Sequence, residues 1–552
     1  MSMVTVKIGE LEVQVESGAR LDKALPASVS NGRPVLGAIC NNMVVPLSVP
    51  VLTDCEVNPL YITDEYGWPI YRSSLCFLLA KAVHELFPGS NFRVRNSIGS
   101  GLYCTVEWPD PSAKAVADAI AAIKARMKQD IAADLEVTNE LLSYGEAIKR
   151  FQSLGQTDKL NLLAHRNPPF VAMTRCGNYC DLGQQPLVTR LGMLKLFDLV
   201  PFGDGFVLAV PPSTDPDKIL PLPPSEQLFK VYREHIEWGK IVGITTVGEL
   251  NQAVIEKRAD DFVHTVEALH NKKLSNIADA IVARKSVRLV LVAGPSSAGK
   301  TTFSKRLVTH LRVNGCKPLL ISTDNYFVGD ERNPRDENGN LDYEHIEAVD
   351  LPRLNHDLLA LMAGEPVRMR GFDFKTRSGF DYDYETRLPP NGIIVMEGIH
   401  SLNPRLTSEI PADQKFLIFV NALTQLGIDS CNRISTTDTR KIRRMVRDHN
   451  FRGRPAIQTL QMWPSIARGE KRWIYPFQHL ADAVFNSALD YELAVFKPLA
   501  TLLLNQIKPW DPEYVEARRL SGILHNFSTM DSERIPGDSI LREYIGNSQL
   551  SY

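Results

Sequence analysis

The chain contains no run of about 18 apolar residues, and its first residues, MSMVTVKIGELEVQV, lack the apolar core of a secretory leader. A membrane span is therefore not expected, and the expected location is the cytoplasm. An excess of charge of either sign is also missing. The formal net charge is −2, which gives no overall attraction to nucleic acid or to an anionic bilayer, so any such contact has to rest on a local patch. Paired cysteines are scarce. The eight present (Cys40, Cys55, Cys76, Cys104, Cys176, Cys180, Cys316 and Cys431) are scattered, and the close pair Cys176 and Cys180 has no second pair at zinc-ribbon spacing. Buried free thiols in a reducing compartment are expected rather than a disulfide or zinc framework. No internal repeat is evident. With 44% hydrophobic and 23% charged residues, general disorder is excluded, and 552 residues are enough for several cores.

What is present centres on RLVLVAGPSSAGKTTFSKRL, Arg288 to Leu307. A short apolar run feeds a turn reading Gly294, Pro295, Ser296, Ser297, Ala298, Gly299, Lys300, Thr301 and Thr302, then a helix-forming segment. This is a P-loop. Its glycines let successive N–H groups aim at phosphate oxygens, and the helix behind adds its positive end. Lys300 reaches the β- and γ-phosphates, and the Thr301 hydroxyl ligates magnesium. Nucleoside-triphosphate binding is expected here.

Two further apolar runs end in acidic residues. Lys317 to Ser322 leads into Thr323, Asp324, Asn325, Tyr326 and Phe327, and Gly392 to Met396 delivers Glu397 and Gly398. As parallel strands beside the P-loop strand, they would bring both carboxylates to the carboxyl edge of one sheet, where α/β proteins place ligands. Asp324 can take a hydroxyl proton or join a magnesium shell, and an Asp at a strand end can equally be a helix cap. Glu397 suits an acidic group acting on magnesium directly or through water. The run TRKIRRMVRDHNFRGR, Thr439 to Arg454, is either a solvated helix face or a lid that carries Arg444, Arg447 and the terminal RGR onto phosphates.

Upstream, residues 3 to 15 alternate as a β-hairpin around Gly9 and Glu10. Leu21 to Leu25, AICNNMVVPL and Val57 to Ile62 complete a strand, strand, helix, strand, strand module of β-grasp type. Tyr71 to Phe87 has helical periodicity closed by Pro88 and Gly89. The order of this helix after the β-grasp module, the later IGSGLYCTVE, and GNYCDLGQQPL around Asp181 resemble the N-terminal half of threonyl-tRNA synthetase, its TGS domain followed by its editing domain, over about residues 1 to 220. The side chains that the family's editing pocket uses are replaced. The paired-histidine positions on the helix carry Ser73 and Phe77, and the Cys and His of the later motif become Gly183 and Leu187. The resemblance therefore implies a retained scaffold without hydrolytic editing. RNA contact by this half is not favoured, because no basic and aromatic cluster is present.

Prolines from Pro211 to Gln227 mark a boundary. Glu226 to Arg284 then reads as a helical connector, in which His264 and His270 are taken as solvated or packing residues.

GPSSAGKTT, DNYF, MEG and RRMVRDHNFRGR together resemble the uridine kinase and phosphoribulokinase superfamily, nearest its uridine-cytidine kinases, over roughly Ser286 to Leu504. The resemblance implies ATP as donor, magnesium as cofactor, Asp324 as base on a ribose 5′-hydroxyl, and Arg447, Arg452 and Arg454 as phosphate clamps. It puts the ribose-binding carboxylate at Glu344 and the base-binding segment at Phe372, Asp373 and Phe374, with Arg377 where the family carries His and Arg444 beside the acceptor. Exchanging His for Arg replaces a switchable group by a permanent cation, which opens the acceptor to a carbonyl-rich or anionic feature.

The expected architecture is a multidomain α/β and α+β chain. It comprises a TGS-like β-grasp domain (1–62), a degenerate editing-like α+β domain (63–224), a helical connector (225–285), a P-loop uridine kinase-like domain with a parallel sheet flanked by helices (286–505) and a C-terminal tail (506–552), for which the sequence offers no function. The expected activity is phosphorylation of a nucleoside 5′-hydroxyl, uridine or cytidine foremost, with a homo-oligomer compatible. The alternatives are a kinase of another small sugar-like metabolite and a translation-linked nucleotide switch. Against the switch, no guanine-reading [NT]KxD follows the P-loop.

Overall fold

The computed structural model describes residues 2–25, 32–108, 110–223, 226–337, 339–373 and 376–551. Its first unit is a five-stranded mixed sheet in the order Leu11–Glu16, Met3–Ile8, Cys55–Leu60, Gly37–Cys40, Met43–Val45. The first two strands form the expected hairpin, and Met3–Ile8 runs parallel to Cys55–Leu60. The segment AICNNMVVPL, read above as one strand, is two. Asn41 and Asn42 both take positive φ, 47° and 56°, and turn the chain back on itself. Adjacent Asn residues tolerate that conformation because their short side chains can bond locally.

The second unit packs the helix Gly67–Leu86 and the helix Ala113–Ala132 against a four-stranded antiparallel sheet, ordered Asp198–Phe202, Gly205–Ala209, Gly101–Val106, Phe92–Ile98. Beside it stands a three-stranded sheet of Tyr179–Leu182, Phe170–Cys176 and Thr138–Ser143. The helices Glu226–Val242, Val247–Ile255 and Ala259–Ala283 follow. They do more than connect, because Val247, Leu250, Phe262 and Ile277 share one continuous core with Phe151 and Leu162 of the second unit and with the C-terminal sheet. His264 is exposed, whereas His270 is buried and stacks on Phe485.

The C-terminal unit is a five-stranded, wholly parallel sheet in the order Lys317–Ser322, Gly392–Glu397, Leu289–Ala293, Lys415–Asn421, Ala483–Asn486. Leu289–Ala293 lies at its centre and is buried throughout, as a strand covered on both faces must be. An excursion between the strands at 317–322 and 392–397 holds the helix Leu351–Ala363 and the hairpin Val367–Asp373 with Ser378–Thr386.

The residues beyond 505 are not a detached tail. Ile507, Leu520, Leu524, Phe527, Ile540 and Tyr544 belong to the same core as the P-loop helix. Sequence gave little notice of this, since the segment's apolar residues are interrupted by prolines and polar stretches. Among the described residues no helix is long and apolar enough to cross a membrane, and all eight cysteines are free thiols.

Candidate active site

The P-loop strand Leu289–Ala293 ends in a turn whose shape depends on two glycines. A Cβ at Gly294 would overlap the Val420 carbonyl oxygen, and Gly299 caps the following helix, Lys300–Val313, in the left-handed region at φ 83°. The loop's carbonyls are held from outside. Ser487 Oγ donates to Ala298 O at 2.5 Å, Tyr544 Oη to Ser297 O at 3.1 Å, Arg440 Nη1 to Ser296 O at 3.3 Å and Lys300 Nζ to Pro295 O at 3.2 Å. Pinning carbonyls on the outer side fixes the peptide planes, which is how a loop presents N–H groups to phosphate.

The two acidic strand ends converge on this loop. Glu397 Oε1 accepts from Ser322 Oγ at 3.0 Å and from Thr301 Oγ1 at 3.4 Å. Burial pushes its carboxyl up to about 7, with the Asp324 charge adding to the rise and Lys300 opposing it. Asp324 lies on the short helical turn Thr323–Tyr326, where Ser322 acts as the cap by accepting the Asp324 N–H at 3.3 Å. The carboxylate is thus free of the capping role that sequence left open. Burial pushes it above the usual range against the pull of Lys300, Arg452 and Arg447. The carboxyls of Asp324 and Glu397 with the hydroxyls of Thr301 and Ser322 form an oxygen-only donor set. Such a set fits a hard divalent cation that keeps several waters and completes its shell with phosphate.

The arginine-rich run forms the helix Thr436–Arg452 and divides into two roles. Arg440 forks onto Glu470 at 2.5 and 2.7 Å, and Arg443 onto Glu492 at 2.5 and 3.1 Å. Both are fully buried and serve as struts beneath the P-loop. This part of the run is neither a solvated face nor a mobile lid, because buried guanidinium groups require paired carboxylates and these helices supply them. Arg444 Nη1 donates to Ser296 Oγ at 2.5 Å. Arg447 and Arg452 both lie 3.3 Å from Asp448, and their charges act on Asp324. Arg454 reaches the Met462 sulfur at 3.7 Å.

On the acceptor side, Glu344 Oε2 is buried without a partner. Burial pushes this carboxyl up to about 7, opposed by Arg444 and Lys300, so it faces the same site. Arg377 has partners of its own. It occupies the hairpin turn at φ 53°, pairs with Asp330 at 2.9 Å and reaches the Tyr343 hydroxyl at 3.2 Å. Phe372 packs edge-on against Phe327 at 5.6 Å, Asp373 accepts from Thr376 N at 3.4 Å, and Phe374 lies outside the described residues.

One participant was missed by sequence reasoning. Glu543, on the short helix Arg542–Ile545, accepts from Thr302 Oγ1 at 2.6 Å and stands 3.8 Å from Arg447. No local motif marks it.

In the second unit, the positions that departed from the editing pattern carry side chains with partners of their own. Phe77 lies 5.3 Å from the Tyr179 ring, Ser73 Oγ donates to Gln185 Oε1 at 2.8 Å, and Leu187 is buried. Asp181 is bound to Lys159 at 3.1 Å.

A central P-loop strand, two acidic strand ends and buried arginines define a P-loop phosphotransferase. Residues 289–494 match the family model described as the phosphoribulokinase / uridine kinase family, and that match together with this geometry supports an ATP-dependent kinase. The N-terminal half is similar to threonine–tRNA ligases. That of Maridesulfovibrio salexigens is 30% identical over 198 residues, 35% of this chain and 30% of the ligase. That of Oleidesulfovibrio alaskensis is 31% identical over 191 residues, 34% of this chain and 29% of the ligase. The chain thus spans under a third of these relatives' length. A solved structure titled a possible uridine kinase from Bacillus stearothermophilus aligns over 39% of this chain and 97% of its own, at 18% identity and a TM-score of 0.27.

Proposed function

We propose that the protein transfers the γ-phosphoryl group of ATP to the 5′-hydroxyl of a nucleoside, uridine or cytidine foremost, giving the 5′-monophosphate and ADP. The observation that carries this reading is the convergence of two acidic strand ends on the P-loop, with Glu397 within 3.4 Å of the Thr301 hydroxyl and 3.0 Å of Ser322 Oγ, two residues before Asp324. Lys300 and the P-loop amides hold the phosphates, with Gly294, Ser296, Ser297, Ala298, Gly299, Thr301 and Thr302 as the cradle. Thr301, Glu397 and Asp324 would hold magnesium, which when bound neutralises charge on the phosphate oxygens. Asp324 takes the hydroxyl proton as the new O–P bond forms and the bond to ADP breaks. Arg447, Arg452 and Arg454 stabilise the charge spread over the transferring group, while Glu344 and Arg444, with Phe372 and Asp373, bound the acceptor. The N-terminal half (1–62 and 63–224) acts as a scaffold without hydrolytic activity, consistent with Phe77 and Leu187 offering no proton or metal ligand.

A second reading keeps the chemistry and changes the acceptor to another small sugar-like metabolite. The placement of Arg377 favours it, since a guanidinium already paired with Asp330 is not available to read a pyrimidine edge. ATP turnover with magnesium against a panel of nucleosides and sugar-like acceptors, with the product identified by mass and Asp324→Asn as control, separates the two. ADP release indifferent to every nucleoside sinks the first.

A further inference from the structure

A cavity of about 510 Å³ lies between the N-terminal half and the kinase, within the size range of clefts that enclose small metabolites. No residue of the P-loop lines it. Its walls come from the helix Gly67–Leu86, the segment 181–187, the start of the helix Thr436–Arg452 with the loop before it, and the helix Tyr514–His525.

The charges on these walls do not balance. Arg519 pairs with Asp438 and with Glu516, the latter at 2.8 Å, Lys441 pairs with Glu516 at 2.5 Å, and Asp181 is committed to Lys159. Of the other charged side chains on these walls, Glu65 and Arg518 are exposed, and Arg72 and Arg433 are half-buried. Arg72 rests on the Trp68 ring at 4.4 Å, and Arg433 donates Nη1 to Ser97 Oγ at 2.7 Å while its Nε is buried without a partner. Among the described residues neither has a carboxylate within 4.0 Å. Burial and the neighbouring Arg433 charge push Arg72 down to about 10, and burial likewise lowers Arg433. Two half-buried like charges beside one another are destabilising unless an anion joins them. Guanidinium forks match carboxylate and phosphate oxygens bidentately. Ile70, Phe77, Leu187 and Val515 give the same cavity an apolar side that suits a carbon body. Turnover is not expected, because Ser73 is engaged with Gln185 and no base lies beside it.

We propose that this cavity binds a small organic oxyanion, a carboxylate or a phosphate ester, held jointly by Arg72 and Arg433. The site shares a wall with the phosphoryl-transfer centre, since the helix Thr436–Arg452 presents Asp438 and Lys441 to the cavity and Arg444 to the P-loop.

The test is titration calorimetry on the full chain with glucose 6-phosphate for the phosphate arm, gluconate for the carboxylate arm and glucose as the uncharged control. Lys300→Ala separates the cavity from phosphate binding at the P-loop. The expected result is saturable binding of at least one charged probe by the native chain and by Lys300→Ala alike, roughly tenfold or more weaker in Arg72→Gln and in Arg433→Gln, with glucose silent. In the native chain, the bound probe should also shield Arg72 and Arg433 from phenylglyoxal, read by peptide mass, and this measurement decides alone if the variants do not fold. Absence of binding by both charged probes, undiminished binding in the two variants, or unshielded arginines at saturation each overturns the proposal.

Discussion

Glu543 Oε2 accepts hydrogen bonds from both the hydroxyl and the backbone N–H of Thr302, at 2.6 and 3.4 Å. Thr302 sits in the first turn of the P-loop helix, where unsatisfied N–H groups and the helix dipole favour an anion. A carboxylate from the end of the chain therefore stands where phosphate oxygens are to be received. Glu543→Gln keeps an acceptor and removes the charge. Charge effects at a helix terminus of about 0.3–1 kcal/mol translate into ATP binding roughly two- to fivefold tighter, measured by calorimetry. Weaker binding in the variant would mean that the carboxylate builds the loop instead of competing for it.

Asp324 is assigned the proton-accepting role, and its hydrogen bonding leaves capping to Ser322. Asp324→Asn should lower kcat by about 10²–10⁴-fold with affinity for ATP in the absence of magnesium nearly unchanged, read from steady-state kinetics against equilibrium binding. A loss confined to KM for the acceptor would move Asp324 from chemistry to positioning.

Lys159 is 1% exposed and stands 2.7 Å from Asp429 of the kinase and 3.1 Å from Asp181 of the N-terminal half. Asp429 in turn accepts the N–H groups of Cys431 and Asn432, both at 2.8 Å, so one ammonium ties the two halves together. Burial pushes Asp181 up to about 6 against the pull of Lys159. Lys159→Met leaves these carboxylates without their cation and should cost about 3–5 kcal/mol in urea denaturation. Splitting of a single calorimetric transition into two would show that docking of the halves has also loosened, while native-like stability would refute the role.

His270 is packed against Phe485 and near Arg306, and burial pushes its imidazole down to about 3 from an ordinary value of 6.5. The native ring stays neutral where the unfolded ring takes a proton, so stability is full above 6.5 and is lost as pH falls toward 3. His270→Phe keeps the stacking and removes the titration. The stability difference between variant and native chain should shift in the variant's favour by about 1.4 kcal/mol per pH unit across that window, measured by urea titrations at several pH values. A difference independent of pH would show that the ring is not held neutral.

Much of the kinase centre could be read locally. The run Leu289–Ala293, the glycines at 294 and 299, and the acidic residues closing two apolar runs are written within a few residues of one another, because strand, turn and helix N-terminus are short-range structures with short-range signals. The arginine run shows where local reading ends. Arg440 and Arg443 lie in a run that reads from sequence as a solvated face or a lid, yet Glu470 and Glu492, 30 and 49 residues away, make them struts. Arg377 was expected beside the acceptor but is drawn to Asp330, 47 residues upstream.

The order of residues alone determined the P-loop, the parallel sheet behind it, the two acidic strand ends and the apolar side chains at Phe77 and Leu187, since each depends on residue type at a fixed spacing. The fold alone decided that Glu543 meets Thr302 across 241 residues, that Lys159 joins the halves, and that Arg72 and Arg433 line one cavity with no ion-pair partner among the described residues. Those outcomes depend on which surfaces meet when separate cores pack, and the pairing of side chains hundreds of residues apart leaves no periodic or local trace in the chain.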